Sequence, residues 1–181
     1  FRRSRGLGDV YKRQAIESGN EDPNTRVIVI KATGPAFSAG HDLRETRRRD
    51  DEHESEWQVR IDAILQDCAA MMTSILHAPK PIIACVQGIA SAAGCQLVSA
   101  CDLAIASEDA TFCTPGVNIG TFCTTPLVGI GRNLSRKHAL EMALTGDQFD
   151  AATAERFGLI NRSVPASEPV SYTHLRAHET S

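Results

Sequence analysis

Two stretches of small residues draw attention for what their main chain could do: Phe37-Ser38-Ala39-Gly40-His41-Asp42-Leu43 and Gly88-Ile89-Ala90-Ser91-Ala92-Ala93-Gly94-Cys95-Gln96. Each reads as a strand, a turn of small residues and the start of a helix. Small side chains let a ligand approach the backbone, and the first N–H groups of a helix have no internal acceptor, so both stretches suit the holding of negative charge. Two such donors converging on one point would make an oxyanion hole, which stabilises charge developing on a carbonyl oxygen. Small residues ahead of a helix also serve plain packing, and the pattern alone leaves both readings open. His53 and His77 lack ligand spacing, and the six cysteines, at 68, 85, 95, 101, 113 and 123, include no C-x-x-C pair. Neither a metal site nor a disulfide frame is expected, and the cysteines read as reduced thiols of an intracellular protein.

The elements that must position these residues follow from periodicity. Residues 26–30 form a β-branched run stopped by Thr33-Gly34-Pro35, a buried strand leading into a turn. From Trp57 onward Ile61, Ile64, Leu65, Cys68, Met72, Ile75 and Leu76 recur at helical spacing until Pro79 and Pro81 forbid continuation. Residues 82–86 read as a second buried strand closed by Gln87-Gly88, and 92–100 as a helix rich in Ala and Leu. Strands at 102–107 and 111–114 are expected next. A helix capped by Ser135 runs to Leu144, and another is capped by Asp150 and ended by Gly158, before a strand at 159–164. Alternating strands and helices predict a layered α/β domain.

Composition agrees with one folded domain: 181 residues, 42% hydrophobic and 23% charged. No apolar run reaches the roughly 18 residues needed to cross a bilayer. A formal charge of −3 lacks the excess of Lys and Arg with which proteins neutralise nucleic-acid phosphates, so a small-molecule partner is expected. The ends read differently. The two strands of a DNA duplex resembling a transposon-end sequencing adapter, taken in different frames, encode residues 4–14 and 170–179 as they stand. Residues 1–14 and 170–181 are therefore expected to be non-native adapter-like segments, with a core at 15–169. No signal or transit pattern is visible.

Further motifs join the two small-residue stretches in a fixed order. Lys80-Pro81-Ile82-Ile83-Ala84 with Gln87-Gly88, then Ala93-Gly94-Cys95-Gln96-Leu97, then Ala100-Cys101-Asp102-Leu103-Ala104-Ile105-Ala106-Ser107 follow one another. After them come Phe112-Cys113-Thr114-Pro115, Gly120, Ala139-Leu140-Glu141, Leu144-Thr145-Gly146, and Gly158-Leu159-Ile160 with Val164-Pro165. This series resembles the enoyl-CoA hydratase/isomerase (crotonase) superfamily over nearly all of 15–169. The runs Gly94-Cys95-Gln96-Leu97-Val98 and Thr114-Pro115-Gly116-Val117-Asn118 resemble one branch of it. The resemblance implies an α/β spiral of β-β-α units, truncated here at both ends, and an acyl-CoA substrate. It also implies a homotrimer or dimer of trimers, and no cofactor or metal beyond the coenzyme A of the substrate. Residence would be mitochondrial in a eukaryote and cytoplasmic otherwise. It places the oxyanion hole at the backbone N–H groups of His41 and Ala93. Ser38, Gly40, His41, Asp42, Leu43, Arg44 and Ala93 become the substrate-binding set, with Arg44 towards phosphate.

One feature departs from the family pattern. Hydratases of the family position and activate water with two glutamates, and those two positions hold Gln96 and Gly116. Hydration of a conjugated enoyl thioester needs a base for water and an acid for the α-carbon, and an amide is neither. Of the substitutes, His41 is of the residue type most used for acid–base catalysis, Asp102 is placed to cap or brace, and Asn118 and Cys123 would line the pocket. Arg47, Arg48 and Arg49, followed by Asp50, Asp51 and Glu52, read as a self-compensating exposed face. The expected function is enoyl-CoA hydratase-like thioester chemistry in fatty-acid metabolism, with weak or altered activity. The alternatives are a methylmalonyl-CoA decarboxylase-like enzyme and a non-catalytic acyl-CoA-binding subunit.

Overall fold

The computed structural model describes residues 8–167; residues 1–7 and the expected segment 170–181 lie outside the described residues. The chain begins with α1 (Gly8–Glu21), whose first two turns fall within the expected adapter-like stretch 1–14. It continues through β1 (Ile28–Lys31), β2 (Ala36–Ser38), α2 (Leu43–Thr46) and the long α3 (Glu54–Leu76). Then come β3 (Ile82–Val86), β4 (Ile89–Ser91), α4 (Ala93–Ala100), β5 (Leu103–Ser107), β6 (Thr111–Cys113) and a 3-10 turn at Pro115–Ile119. The last elements are α5 (Thr124–Asn133), α6 (Arg136–Thr145), β7 (Phe149–Asp150), α7 (Ala151–Phe157) and β8 (Arg162–Val164).

Two four-stranded sheets result, in the orders β1-β3-β5-β8 and β2-β4-β6-β7; all pairs are parallel except β6 with β7. Each β-β-α turn places one strand in each sheet, through links at 32–35, 87–88 and 108–110. The first sheet is centred on β3, whose Ile-Ile-Ala-Cys-Val run is buried at every position, as a parallel strand covered on both faces must be. Ile83 of β3 lies between Val29 and Leu103, and Ala90 of β4 lies between Ser38 and Phe112. Side chains tie the turns together. Asp102 accepts from the Ile82 N–H at 2.7 Å and so braces the start of β3. The Gln87 amide donates to the carbonyls of Gly34 and Ala36 at 3.1 and 3.0 Å, and the buried Thr114 hydroxyl donates to the Met142 carbonyl at 2.7 Å.

The helix caps match the reading of the sequence at Ser135, Asp150 and Gly158. His53, read as an ordinary histidine, caps α3 in a reciprocal box with Glu56. Three corrections have physical causes. β4 occupies positions read as part of a small-residue turn; three residues are too few to show a period, and Ala90 is there because β2 and β6 press on it. The strand expected over 159–164 is confined to β8, because Leu159 and Ile160 are spent packing under α7. α5 carried no visible helical signal, since Gly129 and Gly131 weaken its propensity. Residues 47–51 are exposed and the Arg49 charge favours the Glu52 carboxylate, in keeping with a self-compensating face, while Glu52 also pairs with Arg60 at 2.6 Å and Arg48 with Glu54 at 2.6 Å.

No described helix is long and apolar enough to cross a membrane. No disulfide forms among the described residues, which include all six cysteines.

Candidate functional site

The two small-residue stretches meet. Gly40 follows β2 with φ of +83°, a conformation that glycine adopts without steric penalty. A Cβ added to it would lie 3.1 Å from the Ser91 carbonyl oxygen, 3.2 Å from the Ala92 Cβ and 3.3 Å from the Ala93 nitrogen. The segment before His41 is thus in van der Waals contact with the first residue of α4. Gly94 allows the same approach from the other side, since a Cβ there would fall 2.2 Å from the Ser38 carbonyl oxygen.

Ala92, the residue that turns β4 into α4, has φ 51° and ψ −113°. It is the only non-glycine residue with positive φ among the described residues, in a region that costs about 1–3 kcal/mol for a side chain to occupy. Its N–H donates to the Cys113 carbonyl at 2.9 Å, and its carbonyl accepts from the Gln96 N–H at 3.1 Å. The buried Cys95 thiol donates to the Ala90 and Cys113 carbonyls at 3.0 and 3.3 Å, filling the space beneath the turn. Burial pushes that thiol upward in pKa, as it does the Cys113 thiol, so both act as neutral packing groups. The strained turn leaves Ala93 at the first position of α4. Among the described residues, neither the Ala93 N–H nor the His41 N–H donates to a protein acceptor.

A small, partly open cavity is lined by Ser38, Gly40, His41, Ala93 and Leu97, by Cys68, Met71 and Met72 of α3, and by Asp9 and Lys12 of α1. Four of the expected substrate-binding residues therefore share one wall. Two buried polar atoms nearby have no hydrogen-bond partner among the described residues: Nε2 of His41 and Oε1 of Gln96. Gln96 lies on α4 one turn beyond Ala93. An unpaired buried acceptor is costly, so the amide is suited to receiving a donor from a bound molecule or water.

Asp42, Leu43 and Arg44 lie beside the cavity rather than on its wall. Asp42 caps α2 by accepting from the Arg44 N–H at 3.0 Å, and its carboxylate pairs with the Arg44 guanidinium at 2.6 Å. The hydrogen bond and charge of Asp42 hold the Arg44 pKa above its usual value. The Arg44 side chain is 70% exposed. Gly116 is buried in the 3-10 turn, away from the cavity wall. A Cβ on it would come within 3.1 Å of both the nitrogen and the sulfur of Cys123 and 3.2 Å of the Phe122 carbonyl carbon. Cys123 therefore fills the space into which a side chain at 116 would project. Asn118, expected in the pocket, instead donates to the Gly146 carbonyl at 3.3 Å and braces the end of α6.

Sequence reading missed Cys68 as a cavity residue; Asp9 and Lys12, which also line the cavity, lie in the stretch 1–14 expected to be adapter-like. Cys68 sits on the apolar stripe of α3, so its spacing signals packing, and only the tertiary fold brings it to His41. Its thiol is pushed up to about 11, chiefly by burial and then by the Asp9 carboxylate.

The fold has known counterparts. The enoyl-CoA hydratase/isomerase family model matches residues 12–180. The chain belongs to the enoyl-CoA hydratase/isomerase family. Among curated members, the rat protein named enoyl-CoA hydratase domain-containing protein 3, mitochondrial, is 46% identical over 149 residues, covering 82% of this chain and 47% of that protein. The human protein of that name is 46% identical over 144 residues, covering 79% and 45%. A crystal structure of the human protein superposes with a TM-score of 0.87 at 40% identity, covering 94% of this chain and 65% of that one. An enoyl-CoA hydrotase/isomerase family protein from Silicibacter pomeroyi gives 0.86 at 41% identity, covering 93% and 69%. The chain spans about half the length of the curated relatives it matches, and its fold is the crotonase-like fold of this family.

Proposed function

We propose that this chain carries the thioester-binding core of an acyl-CoA enzyme, in which the N–H groups of His41 and Ala93 form an oxyanion hole for a thioester enolate. The observation that supports this most is the convergence of Gly40, His41 and Ala93 on one cavity, with both N–H groups lacking a protein acceptor. Each donor aimed at developing charge is worth about 3 kcal/mol of transition-state stabilisation. The strain held at Ala92 fits a backbone kept in place for a ligand rather than for its own stability.

With Gln96 and Gly116 at the positions of the family glutamates, the two-carboxylate hydration route has no base and no acid. Gln96 can orient a water or a substrate oxygen, and Gly116 contributes only space and main chain. The His41 imidazole is the side chain closest to hand for proton transfer. The reading favoured is a hydratase-like lyase of fatty-acid metabolism with weakened or reassigned proton transfer. A methylmalonyl-CoA decarboxylase-like reaction is the second, because loss of CO2 yields an enolate without a carboxylate base. A non-catalytic acyl-CoA-binding subunit is the third. The names of the relatives support a mitochondrial setting in a eukaryote. The whole protein would be a trimer or a dimer of trimers, with residues 1–14 and 170–181 foreign to it.

The test is spectroscopic as well as kinetic. Crotonyl-CoA labelled with carbon-13 at the thioester carbonyl should show its carbonyl stretch moved to lower wavenumber on binding, the mark of two donors on the oxygen. Turnover of crotonyl-CoA and methylmalonyl-CoA is followed in parallel. A shifted carbonyl with turnover of one substrate selects that enzyme reading, a shifted carbonyl without turnover selects the binding subunit, and an unshifted carbonyl overturns the oxyanion hole.

A further inference from the structure

The chain leaves the site through a strap that apolar packing does not hold down. No residue from Asp42 to Glu52 is buried, α2 included, and Leu43 is 61% exposed. A helix of four residues is far too short to persist in water without outside support. That support comes from two side chains of α3, both bonded to the main chain of the strap. The Trp57 Nε1–H donates to the Thr46 carbonyl at 2.8 Å. Arg60 donates through Nη1 to the Glu45 carbonyl and through Nη2 to the Arg47 carbonyl at 3.1 Å. Three successive carbonyls at the C-terminal end of α2 are thus taken up, where a helix lacks internal donors and its dipole favours a cation. The same guanidinium grips the far end of the strap, its Nε and Nη2 donating to the two carboxylate oxygens of Glu52 at 2.7 and 2.6 Å. With side chains 22% and 9% exposed, this pair is better shielded from solvent than Arg44–Asp42 or Arg48–Glu54. Only the planar, five-donor fork of arginine lets one side chain reach both ends.

The strap begins directly after His41. On one side of that residue, Gly40 fixes the chain by its contact with Ala92 and Ala93. On the other, the Asp42 carbonyl accepts from the Glu45 and Thr46 N–H groups at 2.8 and 3.3 Å, and the Asp42 carboxylate caps α2. The direction of the His41 N–H therefore depends on where α2 is docked. We infer that Arg60 is a positioning residue: it latches residues 42–52 onto α3 and, through α2, holds the His41 N–H at the cavity. The positioning role rests on the oxyanion-hole reading; the latch does not.

Hydrogen exchange of the full chain, read by mass spectrometry without ligand, tests the latch. In Arg60→Met the amides of residues 43–52 should exchange at least tenfold faster, while those of β3 and β5 keep the parent rates. Arg60→Lys retains a charge for Glu52, but one ammonium cannot span both ends, so the strap should open nearly as far. Arg48→Gln, which removes only an exposed pair on the same strap, should match the parent. Carbon-13 crotonyl-CoA then tests the positioning. Arg60→Met and Arg60→Lys should bind it at least tenfold more weakly and shift its carbonyl stretch less than the parent does, whereas an arginine that merely stabilises the fold would leave the shift of the bound ligand intact. Far-ultraviolet circular dichroism checks the fold of each variant, and Trp57→Phe, which removes one donor and keeps the ring, supplies a graded opening should Arg60→Met unfold. Parent exchange rates over 43–52 in both Arg60→Lys and Trp57→Phe would overturn the latch. Faster exchange with parent affinity and parent carbonyl shift would overturn the positioning role. An unshifted carbonyl in the parent chain would overturn the oxyanion hole and with it that role, and the exchange rates would still decide the latch.

Discussion

Replacing Gly94 with alanine should damage stability and thioester binding together. The added Cβ would stand 2.2 Å from the Ser38 carbonyl oxygen and 3.0 Å from the Ser38 Cβ, where side-chain carbons essentially never come closer than 3.0 Å. The first residues of α4 and the end of β2 must therefore separate by about 0.8 Å or more, and neither is a flexible side chain that can turn aside. Overpacking of this kind costs about 1–3 kcal/mol, and the rigid backbone partner places it near the upper end. For a chain of this size, about 3 kcal/mol corresponds to a drop of roughly 6–12 °C in melting temperature. The same movement shifts Ala93 relative to His41, and a misplacement of about 1 Å in a positioned site costs on the order of 100-fold. Differential scanning calorimetry reads the first effect and isothermal titration with crotonyl-CoA the second. Gly131→Ala is the matched control, since a Cβ there meets nothing within 4 Å on the exposed face of α5. It should stabilise by about 0.5–1 kcal/mol through helix propensity alone. If Gly94→Ala melts and binds like the parent, the two stretches are not in the tight contact described, and the convergence of Gly40, His41 and Ala93 loses its basis.

Ala92→Gly should leave stability unchanged or raise it, because relief of about 1–3 kcal/mol of strain outweighs the roughly 0.5–1 kcal/mol that glycine costs in the unfolded chain. Chemical denaturation that shows a loss above about 1 kcal/mol would refute stored strain at this turn. Gly116→Glu, which would introduce a carboxylate at this turn, should destabilise by about 1–3 kcal/mol, because its Cβ crowds the nitrogen and sulfur of Cys123. Adding Cys123→Ala should recover part of that loss, and a double-mutant cycle with no coupling would refute the contact. The Arg60 guanidinium holds the Glu52 pKa at about 2 in the fold, against 4.5 ordinarily. A depressed carboxylate stabilises fully above its unfolded value, and that contribution fades as pH falls from about 4.5 towards 2. The stability gap between parent and Glu52→Gln should therefore be constant above about pH 5.5 and close in that window; a gap that persists at pH 2 would show the loss to be one of packing.

The local elements were legible wherever one periodicity or one cap acted alone. The β-branched run at 82–86, the apolar stripe from Ile61 to Leu76 and the caps at Ser135, Asp150 and Gly158 each carry their signal within a few residues. The motif order from Phe37 to Val164 indicated the family. What depends on contact between distant segments had no such signal. β4 is three residues long and is a strand only because β2 and β6 flank it. The left-handed strain at Ala92 comes from joining that strand to α4, and alanine itself gives no hint of it. Cys68 has the spacing of a packing residue, and its place on the cavity wall beside His41 is set only by the tertiary fold. Side-chain type and period are properties of a segment, so they can be read along the chain. Which main-chain N–H is left without an acceptor, and which side chains share a cavity, is settled only when the segments compete for the same space.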